Sequence, residues 1–115
     1  NHKEKVLILE SYAGNPTDHI KIPFGKGICG QVAVSNKNFI VPNVCDQQNY
    51  ISCNINVKSE VVVPIFLKGS NVGQIDVDSN SLNSFSERDV KLLESVCELI
   101  SVKMKKSKIT MYEFN

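Results

Sequence analysis

The stretch Glu60–Asp78, which reads EVVVPIFLKGSNVGQIDVD, decides the fold of this chain. Its first half is an apolar run rich in β-branched residues, and its second half alternates apolar and polar residues with the period of a strand. The residues Gly69–Asn71 between the two halves are typical of a turn. We therefore predict strands at Glu60–Lys68 and Val72–Asp78 that pair as an antiparallel hairpin.

The segments before this hairpin combine strand patterns with turn residues. They predict strands at Val6–Ala13, His19–Pro23 and Phe39–Val41, a glycine-rich loop at Gly25–Gly30 and a short helix at Gln31–Asn36. Short connections between successive strands favour antiparallel pairing, and a helix buries its apolar face against the sheet. The pattern therefore predicts an α+β domain with helices packed on an antiparallel sheet.

The segment after the hairpin predicts a long helix from Ser86 to about Lys106. Ser86 and Asp89 have the spacing of a capping box, with Asp in place of the usual Glu or Gln. Apolar residues recur every three or four positions and share one face, namely Val90, Leu93, Cys97, Ile100 and Met104. We expect Cys97 to belong to the core, and residues 109–115 to form a strand or a tail.

Composition narrows the class of protein. The 115 residues are enough for one domain, spanning 1–115, and the 42% of hydrophobic residues exclude a disordered chain. A net charge of +1 gives no general attraction to nucleic acid or to membrane surfaces. No apolar stretch approaches the roughly 20 residues that cross a bilayer, and no signal peptide is visible. We therefore expect a cytoplasmic protein that binds neither nucleic acid nor membranes.

Four cysteines, at positions 29, 45, 53 and 97, raise the question of metal or redox chemistry. None belongs to a Cys-x-x-Cys pair, and His2 and His19 lie far from all of them in sequence. We expect neither a structural zinc site nor any other metal or cofactor. A secreted disulfide framework is not expected either, because the core is adequate without cross-links. Inert buried thiols and redox-active thiols remain as alternatives.

Cys53 lies in a long polar segment, Asn43–Lys58, and loops of this length are usually functional or mobile. Seven positions later Glu60 opens the hairpin, and Asp76 and Asp78 lie two apart on its second strand. Two residues at this spacing face the same side of a strand, so Glu60 can lie across from both. These residues also have structural explanations. Cys53 can be a structural cysteine of the loop, and the aspartates can lie on a strand edge that faces solvent.

Four segments, FGKGICGQVA, NYISCNINVKSEVVVPI, GQIDVDS and FSERDVKLLE, occur in this order and resemble the GAF-domain family. More narrowly, they resemble the free methionine-(R)-sulfoxide reductases, and the resemblance covers about Ile22–Ile100. It implies a GAF-like antiparallel sheet of about six strands flanked by helices, often in a homodimer. Against that fold the chain starts at about the second strand, so we expect it to lack the N-terminal helix and first strand. The implied reaction reduces the R-sulfoxide of free methionine with electrons from thioredoxin.

The resemblance implies a role for each residue of the set. Cys53 corresponds to the nucleophile and Cys29 to a resolving cysteine, while Glu60, Asp76 and Asp78 match acidic site residues. A thiolate at Cys53 attacks the sulfoxide sulfur and becomes a sulfenic acid, which condenses with Cys29 to a disulfide. Neighbouring carboxylates raise one another's pKa, so we hypothesise that Glu60 and Asp78 bind and protonate the sulfoxide oxygen. Asp76 is assigned to the substrate ammonium.

Several positions set this chain apart from the family pattern. Many members carry a third cysteine ten positions after the first, where this chain has Phe39, and Cys45 is an additional thiol. The family stretch H-I-A-C-D reads YISCN at positions 50–54. The alternative to a reductase is a non-catalytic GAF module that binds a small ligand or senses redox state. A purely structural dimerisation domain accounts poorly for three acids and two thiols at these spacings.

Overall fold

The computed structural model describes residues 1–14, 20–47 and 56–114, and side chains as far as Lys106. Five strands, two α-helices and one 3₁₀ turn follow one another along these residues. They are β1 (Val6–Ile8), β2 (Lys21–Pro23), α1 (Gly27–Ser35), β3 (Phe39–Val41), the 3₁₀ turn Val44–Asp46, β4 (Ser59–Leu67), β5 (Ser70–Ser79) and α2 (Glu87–Phe114). The predicted α+β class is confirmed.

The hairpin of β4 and β5 is the longest strand pairing in the described part of the chain. The two strands are antiparallel, with Glu60 opposite Asp78. They turn at Lys68 and Gly69, whose φ angles of 52° and 80° are both positive, as the tightest hairpin turns require. β5 therefore begins at Ser70, two residues earlier than predicted.

Two antiparallel sheets hold the described strands. One sheet has the order β3-β4-β5, and the other pairs β1 with β2. β3 has the predicted bounds, whereas β1 ends at Ile8 because its partner β2 supplies only three residues for pairing. β2 begins at Lys21, and His19, where we predicted its start, lies outside the described residues. The prediction of antiparallel pairing is confirmed for both sheets.

α1 begins at Gly27, inside the segment predicted as a glycine-rich loop, so that prediction is wrong. Glycine disfavours a helix, but Ile28 and Val32 lie four residues apart on one face and are 2% and 0% exposed. Burial of this face stabilises the helix more than its glycines weaken it. Gly30 lets α1 pack closely on β2, because a Cβ at this position would lie 2.7 Å from the carbonyl oxygen of Pro23.

α2 continues to Phe114, well beyond the predicted end at Lys106. The prediction of a C-terminal strand or tail is therefore wrong as far as Phe114. No glycine or proline occurs after Lys106 to end the helix. Its start is as predicted, because the Ser86 N–H donates to the Asp89 carboxylate at 2.8 Å. Among the residues described, no helix has the length and apolar character that a membrane crossing needs.

β4 separates two hydrophobic clusters, because its side chains alternate between the faces of the sheet. The cluster on the side of α1, here the α1 face, consists of Ile28, Val32, Val41, Val44, Val57 and Val62. The cluster on the side of α2, here the α2 face, consists of Val61, Val63, Ile65, Val90 and Cys97. Cys97 is 5% exposed, so its predicted place in the core is confirmed.

Candidate active site

Three carboxylates share the α1 face at one end of the hairpin. Glu60 pairs with Asp78 and Val62 pairs with Asp76, so strand alternation places all four side chains on the face that buries Val62. Val77, between the aspartates, packs on the α2 face instead. The prediction that Glu60 lies across from the aspartates is confirmed for Asp78, whereas Asp76 lies opposite Val62 on the same face.

The first turn of α1 brings Cys29 to these acids. The Cys29 thiol donates a hydrogen bond to Asp76, with 3.2 Å between Sγ and Oδ2, and its sulfur lies 3.9 Å from Oε2 of Glu60. Glu60 is 5% exposed, Cys29 is half-buried and Asp76 is exposed. A thiol and carboxylates from three elements therefore line a site that is closed at Glu60 and open at Asp76.

Cys29 keeps its proton at neutral pH. Burial raises the pKa of the Cys29 thiol far above its ordinary value, and the negative charges of Asp76 and Glu60 raise it further. The thiolate is the nucleophilic form of cysteine. Cys29 therefore reacts slowly by itself, and it needs a neighbouring group that accepts its proton.

Asp78 exchanges its proton close to neutral pH. Desolvation by the surrounding protein raises the pKa of Asp78 to about 7, and the charge of Asp76 adds to the rise. A hydrogen bond with Glu60 acts in the opposite direction. Asp78 is exposed, as Asp76 is, so a ligand can reach its carboxyl group. A carboxyl group with this pKa can donate a proton to a bound molecule near pH 7.

Cys29, Glu60 and Asp76 also form a set of possible metal ligands. One ligand atom of each lies within 4.8 Å of the others. A thiolate and carboxylates are ligands that Zn²⁺ accepts. The search for short spacings such as Cys-x-x-Cys missed this set, because its members come from α1, β4 and β5 and meet only in the fold.

Gln74 is a site residue that sequence reasoning missed. It lies on β5 two residues before Asp76, so it faces the same side of the sheet. Its Nε2 donates to the backbone carbonyl of Cys29 at 3.0 Å. The signal for it in the sequence is the alternation Gln74, Asp76, Asp78, whose first member is uncharged and therefore drew no attention.

The other cysteines of the chain are Cys45, Cys53 and Cys97. Cys53, the predicted nucleophile, lies outside the described residues, as do its neighbours Tyr50 and Asn54. Cys45 is exposed on the 3₁₀ turn, and its thiol is free, as are those of Cys29 and Cys97. The structure thus brings together the expected resolving cysteine and the three acids, and the role of Cys53 stays a prediction from sequence.

Comparison with known proteins identifies relatives of this chain. A sequence model of the GAF domain matches residues 2–104. The chain is 38% identical to GAF domain-containing protein A of Dictyostelium discoideum, over 84% of this chain and 61% of that protein. It is 37% identical to the free methionine-R-sulfoxide reductase of Saccharomyces cerevisiae, over 86% of this chain and 55% of that protein. The chain thus spans little more than half the length of these curated relatives.

Solved structures extend the similarity to the fold. The free methionine-R-sulfoxide reductase of Neisseria meningitidis, solved with its substrate, superposes with a TM-score of 0.91 at 29% identity. That superposition covers 96% of this chain and 65% of the other. The reduced reductase of Staphylococcus aureus is 34% identical with a TM-score of 0.79, over 85% of this chain and 63% of that chain. The fold is the one that these proteins share.

Proposed function

We propose that this chain, which belongs to the GAF domain family, reduces free methionine-(R)-sulfoxide to methionine. The observation that carries the proposal is the convergence of Cys29 with Glu60 and Asp76 on one face of the hairpin. Asp78, which pairs with Glu60 on the same face, can donate a proton, and sulfoxide reduction requires a thiol together with such a donor. Two curated relatives, 37% and 30% identical, are free methionine-R-sulfoxide reductases.

The first step transfers oxygen from the substrate to Cys53. The Cys53 thiolate attacks the sulfoxide sulfur, and the sulfoxide oxygen takes a proton from Asp78 or Glu60. Oxygen then passes to the cysteine, so methionine leaves reduced and Cys53 is oxidised to a sulfenic acid. The pKa of Asp78, raised to about 7, supports its role as the proton donor.

The second step consumes the sulfenic acid. The sulfur of Cys29 attacks the sulfur of Cys53, a disulfide forms, the S–O bond breaks, and the oxygen leaves as water with the proton of the Cys29 thiol. An external dithiol then reduces the disulfide. We include a thioredoxin-like protein as that dithiol, in line with the resemblance to the family.

Asp76 makes the site selective for a free amino acid. Its exposed carboxylate can pair with the α-ammonium group of the substrate. A methionine sulfoxide residue inside a polypeptide has no such ammonium group. The negative charge of this face therefore supports a free amino acid as the substrate and disfavours an oxidised protein.

We extend the proposal to assembly and location. A single GAF-like domain spanning 1–115 pairs with a second copy, and the support is the apolar surface of α2, where Leu92 and Leu99 are 64% and 68% exposed. The protein works in the cytoplasm, and the support is the free thiols of Cys29, Cys45 and Cys97, which suit a reducing compartment.

A second candidate is a non-catalytic GAF module that binds a small ligand or senses redox state. It is favoured by the similarity to a putative GAF sensor protein of Burkholderia vietnamiensis, at 30% identity and a TM-score of 0.76. The raised pKa of Cys29 also suits a thiol that rests in its protonated form. In this function the acids on the α1 face bind a cationic ligand without turnover.

Turnover of free methionine-(R)-sulfoxide with a thioredoxin system separates the two functions. We expect activity in the full-length protein, none in Cys53→Ser, and near-normal activity in the matched control Cys45→Ser. Mass spectrometry of the oxidised protein should find a Cys29–Cys53 disulfide, and a Cys45–Cys53 disulfide would assign the resolving role to Cys45. Binding of the sulfoxide without release of methionine would reject the reductase and select the binding module.

A further inference from the structure

Gln74 connects the hairpin to the helix that carries the resolving thiol. It lies opposite Pro64 in the pairing of β4 with β5, on the face that also holds Asp76. Its Nε2 donates to the backbone oxygen of Cys29 at 3.0 Å, across 45 residues of sequence. The contact therefore fixes the first turn of α1 relative to the strand that carries Asp76.

The amide of Gln74 is electrostatically unlike the other neighbours of Cys29. Burial and the carboxylates of Asp76 and Glu60 favour the protonated thiol. A hydrogen bond from Gln74 acts in the opposite direction and lowers the pKa of Cys29. The contact that the geometry shows joins the Gln74 amide to the backbone oxygen of Cys29, so Gln74 holds this residue in place beside the carboxylates.

Packing alone does not explain an amide at this position. The Oε1 atom of Gln74 is buried and has no hydrogen-bond partner among the described residues. A buried amide oxygen without a partner is unfavourable, so a methionine of similar length would fill the space without that penalty. The part of the side chain that has a partner is the N–H₂ group, and its partner is Cys29.

We propose that Gln74 is a positioning residue for Cys29, holding its backbone against β5 so that its thiol stays within reach of the Asp76 carboxylate. The effect of Gln74 on catalysis rests on the proposed function, in which Cys29 resolves the sulfenic acid of Cys53. In that step the S–S bond with Cys53 forms as the S–O bond breaks, and the Cys29 proton passes through a neighbouring carboxylate to the departing oxygen, which leaves as water. The hydrogen bond from Gln74 keeps the Cys29 thiol at its 3.2 Å distance from Asp76, over which that proton can pass.

The test measures the reactivity of Cys29 without any sulfoxide present. The reduced protein is alkylated with iodoacetamide between pH 7 and pH 10, and mass spectrometry follows the peptide that contains Cys29. We compare wild type with Gln74→Met, which keeps the length, and Gln74→Glu, which replaces the donor with a charge. The matched control is Gln31→Met, two residues from Cys29 on α1 and therefore on another side of the helix.

We expect alkylation of Cys29 to slow about threefold to tenfold in Gln74→Met, and more in Gln74→Glu, while Gln31→Met matches wild type. The rate should be lower in Gln74→Glu than in Gln74→Met because glutamate adds a negative charge beside the thiol. A residue that only fills space would not produce this order. Equal rates in Gln74→Met and Gln31→Met, or a Gln74→Glu as fast as wild type, would overturn the proposal. If one of the two Gln74 variants fails to fold, the other still tests the proposal. If both fail to fold, Gln74 is a purely structural residue, and that result would also overturn the proposal.

A second measurement separates this inference from the proposed function. After one equivalent of methionine-(R)-sulfoxide, Gln74→Met should release methionine at the wild-type rate and form the Cys29–Cys53 disulfide about threefold to tenfold more slowly. The expected alkylation pattern without any methionine release would keep Gln74 as a positioning residue and reject the reductase. Slower methionine release with normal disulfide formation would place Gln74 in the first step and overturn the proposal.

Discussion

Cys29 and Cys97 lie on helices that pack against opposite faces of the same hairpin, and the difference between them separates a site from a core. Burial raises the pKa of both thiols. The Cys97 thiol contacts the backbone oxygen of Val63 at 3.8 Å within an apolar cluster. Cys29 instead contacts two carboxylates that can accept its proton. Burial raises the pKa of the thiol on either face, and the difference on the α1 face is that carboxylates lie within hydrogen-bond distance of the sulfur.

Replacement of either thiol should show the difference between the two faces most clearly. We expect Cys29→Ser to lose steady-state turnover with thioredoxin while still releasing about one methionine per chain, because the first step does not use Cys29. Cys97→Ala should keep turnover and lose about 1–2 kcal/mol of unfolding free energy from the α2 face. Rapid-quench and steady-state assays with chemical denaturation check both. Normal steady-state turnover in Cys29→Ser would contradict the assignment.

Neutralising an acid should lower kcat on the α1 face and leave kcat unchanged on the α2 face. Glu60→Gln removes a carboxylate from beside Cys29, and we expect kcat for the sulfoxide to fall about 100-fold, as for the loss of a general acid. The control is Glu94→Gln, which removes the carboxylate that lies near Cys97. Its kcat should equal that of wild type. Unimpaired turnover in Glu60→Gln would remove Glu60 from proton transfer.

Adjacent valines of β4 allow a comparison at constant side-chain size. Val62 and Val63 are 0% and 1% exposed and point to the α1 and α2 faces, respectively. Substitution of either by alanine should lower the unfolding free energy by about 2 kcal/mol. Only Val62→Ala should also raise KM, since Val62 pairs with Asp76. Urea denaturation and kinetics measure the two effects, and equal KM changes would argue against a functional difference between the faces.

Asp78 should also make the stability of the protein depend weakly on pH. Its pKa is raised to about 7, so ionisation costs stability that is intact below pH 4 and lost as the pH rises through 7. Asp78→Asn should therefore be more stable than wild type at pH 8 by about 1 kcal/mol or less, given solvent screening. At pH 4 the two proteins should be equally stable. Thermal melts at both pH values decide this, with Asp46→Asn on the exposed 3₁₀ turn as control.

Local patterns predicted the parts of the fold that local forces determine. The alternation along the hairpin predicted the pairing of Glu60 with Asp78, and the capping spacing of Ser86 with Asp89 predicted the start of α2. The helix α1 was predicted from Gln31, but its first turn from Gly27 was missed because burial of Ile28 overrides the preference of its glycines, which is a tertiary effect. The end of α2 was missed because polar residues without a breaker do not define a boundary.

The residues of the candidate site also differ in whether local sequence patterns could predict their positions. The acids are close in sequence and share one hairpin, so strand periodicity was enough to bring them together. The approach of Cys29 depends on how α1 packs, and the family resemblance supplied it. Gln74 could not be found by either route, because its role depends on one contact between a side chain and the backbone of a distant residue.

Gly30 shows how little freedom the site has. The atom that a side chain there would meet, the carbonyl oxygen of Pro23, belongs to the backbone and cannot swing aside. Even a methyl group would therefore move α1 as a whole, and Cys29, the preceding residue, would move with it. A shift of about 1 Å would exceed the reach of the 3.2 Å contact with Asp76. The distance between the Cys29 sulfur and Asp76 is thus set one residue further along the helix, by a hydrogen atom in place of a side chain.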